Sequence, residues 1–335
     1  MRESVDELYT EAYRCLEEHE PKRALRIGKQ LKRLRHSSAF EIMARAYVGL
    51  DKPRAAIRVL ERGVKKVPDV WVLWDQLGCY YSDAGRFDEA VSALERARTL
   101  AGQDHAQATL NLAIALNRTS QHEDALRALD AINASEDSIS ARAAAERAVA
   151  LNGVGRFDQA ERVAAAAIEA YTRSNDAGGL DSGVGEEHLP GSDVLAGLHA
   201  NRGEAVWRGR RDRIAALADA WKAIELDRSD ELAASLVREI ERVVSCKASY
   251  FRIVIEGVWH EPLDPGDSPP GFYSTFDVVA DTPDEALGFI RLFEPVEVRA
   301  SLRVAQYKRI EARPDEPKGV YHAPRAYQFF KLEDD

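Results

Sequence analysis

One small residue recurs along the chain at a nearly constant interval, and this recurrence limits the possible folds more than any other feature. Alanine stands at equivalent places in six stretches of helical periodicity: Ala24, Ala56, Ala90, Ala125, Ala160 and Ala216. The intervals are 32, 34, 35, 35 and 56 residues, and the last equals about one period plus an insertion. A fixed period of about 20 to 50 residues indicates a repeat architecture, in which each unit buries its apolar face against its neighbours.

The clearest unit spans residues 71–104. Its first half carries large apolar side chains at helical spacing, and its second half carries small residues. The pattern-forming residues are Trp74, Leu77, Gly78, Tyr81, Ala90, Leu94 and Ala97. Small residues at positions 78 and 90 would let two helices approach closely, and Gly85 suits the turn between them. This pattern resembles the tetratricopeptide repeat.

The resemblance extends over about 70% of the chain. It implies a mostly α-helical superhelical array of about six helix-pair repeats within residues 1–246. The repeats are expected at 5–36, 37–70, 71–104, 106–139, 141–174 and 197–230, with an insertion at 175–196 and a capping helix at 231–246. The last repeat departs from the pattern, with Glu204 where a small residue is expected and Arg228 where proline is common.

Residues 247–335 have a different pattern and are expected to form a small α+β domain. Alternating apolar residues predict strands near 251–259 and 272–280. Thr282 is a suitable N-cap for a helix that begins with Pro283, because Glu285 completes a capping box. A third strand is expected from Val296 and a fourth near 326–332. The order β-β-α-β-β predicts one antiparallel sheet with one helix packed on it, which resembles no particular family.

The composition of the chain indicates the cellular compartment in which it is expected. No stretch approaches the roughly 20 apolar residues of a membrane helix, and the N-terminus has no apolar core like that of a signal peptide. Three widely spaced cysteines favour neither a disulfide framework nor a zinc cluster, so a reducing cytoplasm is expected.

The net charge of −10 conceals a basic excess near the N-terminus. Its centre is the set Lys22, Arg23, Arg26, Lys29, Lys32, Arg33 and Arg35. A phosphate or nucleic-acid patch is one interpretation. A solvated helix face is the favoured one, because the chain is acidic and no aromatic residues interleave there. Neither nucleic acid nor membrane is therefore expected as a partner.

Motifs of catalysis are not found in the sequence. There is no Gly-rich phosphate loop, HExxH motif or Gly-x-Ser-x-Gly motif. The richest polar cluster surrounds a proline-rich loop: Glu256, His260, Glu261, Asp264 and Asp267. Because a metal site would need convergent geometry that this spacing does not indicate, no metal, cofactor or catalytic residue is predicted. The chain is expected not to be an enzyme.

In the tetratricopeptide family the first helix of each repeat lines a concave groove. The resemblance implies that the following residues face a protein or peptide partner: Tyr9, Tyr13, Glu41, Arg45, Asp75, Cys79, Ser82, Ile114, Asn117, Arg118, Arg142, Val149 and Asn152. Asparagine can bind backbone amides, and arginine can bind carboxylates. A secondary candidate surface comprises Trp259, His260 and Phe272.

Two classes of function remain open. The favoured one is a non-catalytic adaptor that binds a polypeptide in the groove, in a sharper form an immunity or regulatory protein that neutralises a toxin or enzyme. The alternative is that the C-terminal domain is a small enzyme or ligand-binding module and the repeats are its targeting arm. The sequence leaves the oligomeric state open.

Overall fold

The computed structural model of the chain describes residues 4–102, 105–132, 137–177, 192–263 and 268–331. By its internal contacts the chain divides into two compact units, Met1–Val154 and Gly155–Asp335. The predicted boundary at 246/247 lies inside the second unit, and the two helices of the fifth repeat belong to different units. The division at 246/247 therefore stays a prediction.

The first unit is a succession of helices that contact one another in chain order. They are α1 (Val5–Glu17), α2 (Pro21–Arg33), α3 (Ala39–Val48), α4 (Pro53–Lys66), α5 (Trp71–Asp83), α6 (Phe87–Ala101), α7 (Ala106–Arg118), α8 (His122–Asp130) and α9 (Asp137–Gly153). Each predicted repeat from 5–36 to 106–139 contains two of these helices. The first helices also contact each other, α1 with α3, α3 with α5, α5 with α7 and α7 with α9.

The recurring small residues lie where the helices approach most closely. All six alanines of the repeat series have no exposed surface. At Gly78 on α5, a methyl group would lie 2.9 Å from Leu94 Cδ2 and 3.2 Å from the Ala90 carbonyl oxygen, both on α6. Only a residue without a side chain fits there at the observed separation.

The turn within each repeat uses the same backbone conformation. One residue between the first and second helix has a φ angle of 56° to 75°, in the left-handed region. These residues are His19, Asp51, Gly85, Ser120, Gly155 and Arg211. Glycine adopts this conformation without the steric strain that other residues meet, so the third and fifth repeats turn most easily.

The second unit contains further helices and a sheet. The helices are α10 (Phe157–Ala177), α11 (Ser192–Arg210), α12 (Arg213–Leu226), α13 (Glu231–Glu241) and α14 (Pro283–Phe293). The strands are β1 (Ser249–Val258), β2 (Gly271–Ala280), β3 (Arg303–Ala312), β4 (Gly319–His322) and β5 (Gln328–Phe330). The described strands form an antiparallel sheet of order β3-β1-β2-β4, in which β5 also pairs with β2.

The fold class is confirmed, with corrections to its details. The third strand begins at Arg303 and not at Val296, because residues 297–301 form turns that bury Val298 behind α14. The short strand β4 was not predicted. Both ends of the expected insertion at 175–196 are helical, since α10 ends at Ala177 and α11 begins at Ser192. Its residues 178–191 lie outside the described part of the chain.

The last repeat and the sheet share one hydrophobic core. Apolar residues of α11, α12 and α13 join those of β1, β2 and α14 in a single buried cluster. The repeat register also differs from the prediction, since Gly203 and not Glu204 is the small residue at the helix contact. A methyl group at Gly203 would lie 3.1 Å from the Ala216 carbonyl oxygen of α12.

A buried ion pair connects the last repeat to the sheet. Arg228, which follows α12, donates to Glu294 Oε1 at 2.5 Å, and both side chains are almost fully buried. Tyr327 donates to the other carboxylate oxygen at 2.6 Å, and the Arg228 guanidinium lies 3.7 Å from the Tyr327 ring centroid. Burial raises the pKa of Glu294, and the guanidinium of Arg228 acts in the opposite direction. Arg228, the residue that departs from the repeat pattern, therefore forms the polar contacts of this junction.

We expect Gly78→Leu to lower the free energy of unfolding of the first unit by about 2 kcal/mol, because the side chain overpacks the contact with Leu94 and Ala90. Ser92→Leu is the control, since it adds the same side chain at an exposed position of α6. Thermal unfolding followed by circular dichroism measures both. Equal melting temperatures for the two variants would contradict the close contact.

We expect Arg228→Met to destabilise the second unit by about 3 kcal/mol, because Glu294 would be left buried without its charge partner. Adding Glu294→Leu should recover part of this loss. Arg325→Met is the control, since Arg325 is exposed and forms a looser ion pair, 3.6 Å from Asp227 Oδ2. Chemical denaturation measures the difference, and similar midpoints for Arg228→Met and Arg325→Met would show that the pair contributes little.

Candidate functional site

The predicted groove residues lie on the first helices of the first unit, and several of them interact across neighbouring repeats. We call the exposed and half-buried side chains of α1, α3, α5, α7 and α9 the first-helix surface. Its lateral hydrogen bonds run from α1 to α3, from α5 to α7 and from α7 to α9. Polar side chains thus connect α1 with α3, and α5 with α7 and α9.

At the N-terminal end of this surface, aromatic and charged side chains form a cluster. Tyr13 donates to Glu41 Oε1 at 2.5 Å, and the Arg45 guanidinium lies 5.2 Å from the Tyr13 ring centroid. The rings of Tyr9 and Tyr13 are 4.8 Å apart, and Tyr9 is 36% exposed. Burial and the bond to Glu41 raise the pKa of Tyr13, so its hydroxyl remains a donor.

In the middle of the surface, an amide connects two repeats. Asn111 on α7 donates to Asp75 Oδ1 on α5 at 2.9 Å, and Gln107 donates to the Asn111 side-chain oxygen at 2.9 Å. Burial raises the pKa of Asp75, and the bond from Asn111 lowers it in part. This arrangement fixes the Asp75 carboxylate against α7.

One turn further along α5, a thiol and a hydroxyl lie beside an arginine. Burial, with contributions from Asp75 and Asp83, raises the pKa of Cys79 to about 12, so the thiol is not a nucleophile at neutral pH. Ser82 is buried and accepts a hydrogen bond of 3.1 Å from Arg118 Nη1. Arg118 remains exposed and can contact a partner.

Asn117 occupies a different environment from the one predicted. It is buried and donates both to the Glu146 backbone oxygen at 2.9 Å and to Glu146 Oε2 at 2.8 Å. Burial raises the pKa of Glu146, and Asn117, Arg118 and Arg142 lower it in part. Asn117 and Ser82 therefore join the repeats from within, and they do not line the open surface.

The remaining predicted residues lie on the same set of helices. Ile114, Val149 and Asn152 are half-buried, and Arg142 is exposed. The three arginines come from the second, fourth and fifth repeats, so the third repeat separates Arg45 from the other two. The prediction missed Asn111 and Glu146, which bond to Asp75 and Asn117 of neighbouring repeats. Both are polar residues that lie on a first helix between buried apolar positions. The groove positions carried over from the family do not include them.

The secondary candidate surface is corrected by the structure. Trp259 is 4% exposed and Phe272 has no exposed surface, because both pack with Tyr327 in the core of the second unit. His260 alone of the three is exposed. The prolines between β1 and β2 suggested an open loop, but the aromatic residues on either side of them face inward.

The open side of the sheet carries a shallow cleft of about 650 Å³. Its lining mixes apolar and polar residues, and the polar ones include Glu256, Tyr273, Thr275, Gln306 and Gln328. The described residues contain no group of three or more histidine, cysteine or acidic side chains placed to hold a metal ion. Asp264 and Asp267 of the predicted polar cluster lie outside the described residues.

Within the described part of the chain, no helix combines the length and apolarity needed to cross a membrane.

The helix pairs, the buried alanines and the contacts between consecutive first helices define a helical repeat protein. The sequence profile of the tetratricopeptide repeat matches residues 76–139. The chain therefore carries tetratricopeptide repeats, and the resemblance is confirmed. Among curated proteins, none is similar enough in sequence to be counted as a match.

Solved structures similar to the chain include several repeat proteins. MamA from Desulfovibrio magneticus, from residue 41 to its end, is 19% identical, with 58% of this chain and 97% of that chain covered and a TM-score of 0.44. YrrB, described as a TPR protein with an unusual peptide-binding site, is 18% identical, with 60% and 92% covered and a TM-score of 0.43. A tetratricopeptide repeat protein from Parabacteroides merdae is 13% identical, with 71% and 98% covered and a TM-score of 0.43.

Proposed function

We propose that the first-helix surface binds an extended polypeptide segment and that the protein is a non-catalytic adaptor. The observation that supports this function is the set of polar side chains that bond between first helices, α1 with α3, and α5 with α7 and α9. A surface held in place by such bonds loses little side-chain entropy when a partner binds.

The chemistry of the surface favours a segment that bears carboxylates and aromatic or apolar side chains. Arg118 and Arg142 are exposed near one end, and the exposed Tyr9 and the half-buried Arg45 lie near the other. Arginine binds carboxylates with two parallel hydrogen bonds, and tyrosine contributes rigid contact area. The half-buried carboxylates of Asp75 and Glu146 accept hydrogen bonds from the side-chain amides of Asn111 and Asn117.

The finer proposal is that the partner is a toxin or enzyme that the protein neutralises, as an immunity or regulatory protein does. Its support is the combination of a repeat array with an acidic chain in which the described residues offer no metal-binding group. A cytoplasmic location belongs to the same proposal.

We expect Arg118→Glu/Arg142→Glu to weaken binding of the native partner at least tenfold, because reversing two exposed charges introduces repulsion toward carboxylates. The partner is first identified by affinity capture with the full-length chain and mass spectrometry, and affinity is then measured by calorimetry. Circular dichroism should be unchanged, since both side chains are exposed.

The matched control is Arg96→Glu/Arg127→Glu, which makes the same change in net charge on second helices. This variant should bind normally. Normal binding by Arg118→Glu/Arg142→Glu, or an equal loss in the control, would rule out recognition by the first-helix surface.

The cleft on the sheet supports a second candidate, a ligand-binding module in the C-terminal part of the chain. Thr275→Trp would fill this cleft from the exposed side of β2. If the cleft recognises the partner, this variant loses binding and the arginine variant does not. Deletion of the sheet is unsuitable for this test, because it would expose the core shared with α11, α12 and α13.

A further inference from the structure

The second helices of the first two repeats carry a strongly basic surface that the adaptor function does not use. Residues 21–66 contain 14 lysines and arginines against 3 acidic residues, although the whole chain has a net charge of −10. The apolar stripes of α2 and α4 are buried, and most of their basic side chains are exposed. We call the exposed side of these two helices the basic surface.

The basic side chains occupy equivalent positions in the two repeats. The buried alanines Ala24 and Ala56 are 32 residues apart. The same interval relates three pairs of exposed cations, Lys22 with Arg54, Arg26 with Arg58, and Arg33 with Lys65. Each helix therefore presents a row with about one cation per turn, and the two rows are in register.

The rows end at the third repeat. An interval of 34 residues relates Ala56 to Ala90, and it places Asp88, Ser92 and Thr99 at the positions of the three cations. The cationic positions are therefore not a general property of the repeat. Arg127 and Arg162 repeat the middle cation in the fourth and fifth repeats, but the full set of three cations is confined to α2 and α4.

These six side chains form no ion pair with any described carboxylate. Arg23 differs, since it pairs with Glu11 and Glu20. Unneutralised charges of one sign on the second helices of two successive repeats create a positive potential that attracts polyanions.

The surroundings of the cations favour one class of polyanion. Leu34 is the one large apolar side chain that is exposed at the described basic surface. A protein interface needs a buried apolar or aromatic centre, and membrane attachment needs an apolar face. Binding of single-stranded nucleic acid relies on aromatic residues that stack on bases. Contacts with the backbone of a duplex need only cations and hydrogen-bond donors.

We infer that the basic surface binds the sugar-phosphate backbone of a nucleic-acid duplex without reading its sequence. The expectation that nucleic acid is not a partner rested on the basic residues of α2 alone and on the acidity of the whole chain. The structure adds the matching row on α4. The acidic residues that dominate the net charge lie mostly in the remainder of the chain.

The test uses the full-length protein and a labelled DNA duplex of about 24 base pairs of arbitrary sequence, with anisotropy measured from about 50 to 200 mM salt. Six phosphate contacts predict a slope of log K against log salt of about −5. Arg26→Glu/Arg58→Glu should bind at least tenfold more weakly at the lowest salt, with a slope smaller in magnitude by about 2.

The control is Arg127→Glu/Arg162→Glu, which changes the net charge equally at exposed positions outside the basic surface. It should bind the duplex as the unaltered protein does. No binding at low salt, or an equal loss in the control, would overturn the inference. Tighter binding of poly-glutamate, or of vesicles rich in phosphatidylserine, than of the duplex would overturn it in favour of an acidic polypeptide or an anionic membrane.

Discussion

The close approach of two helices at a pair of small residues is the contact on which the structure depends. In the third repeat this contact joins Gly78 to Ala90, and in the last repeat it joins Gly203 to Ala216. With the helices this near, their apolar side chains interdigitate, and each repeat leaves a face that only the next repeat can cover. The lateral order of the first helices follows from this packing, and so does the surface that we propose for a partner.

The recurrence of alanine made the repeat architecture predictable from the sequence alone. Steric exclusion at a helix contact acts on one residue at a time, so it leaves a local signal. The surfaces were harder to predict, because exposure depends on residues that are distant in the chain. Asn117 is buried because Glu146 of the next repeat accepts its amide, and Trp259 is buried because Tyr327 packs against it. Neither neighbour is indicated by local spacing.

The junction between the last repeat and the sheet explains the departures from the repeat pattern. Arg228 stands where proline is common, and in the structure its guanidinium reaches Glu294 and the Tyr327 ring. A proline would supply neither charge nor donors. The last repeat thus packs against two neighbours, α10 and the sheet. At Arg228 its sequence meets the requirement of the contact with the sheet and departs from the repeat pattern.

The left-handed turn residues give the array an uneven distribution of backbone strain along its length. The third and fifth repeats turn at glycine, whereas the first, second, fourth and last turn at His19, Asp51, Ser120 and Arg211. A residue with a side chain costs about 1 kcal/mol more than glycine in this conformation. In a nearly one-dimensional array such differences set where unfolding begins. By their turn strain alone, the third and fifth repeats should therefore resist local unfolding better than the other four.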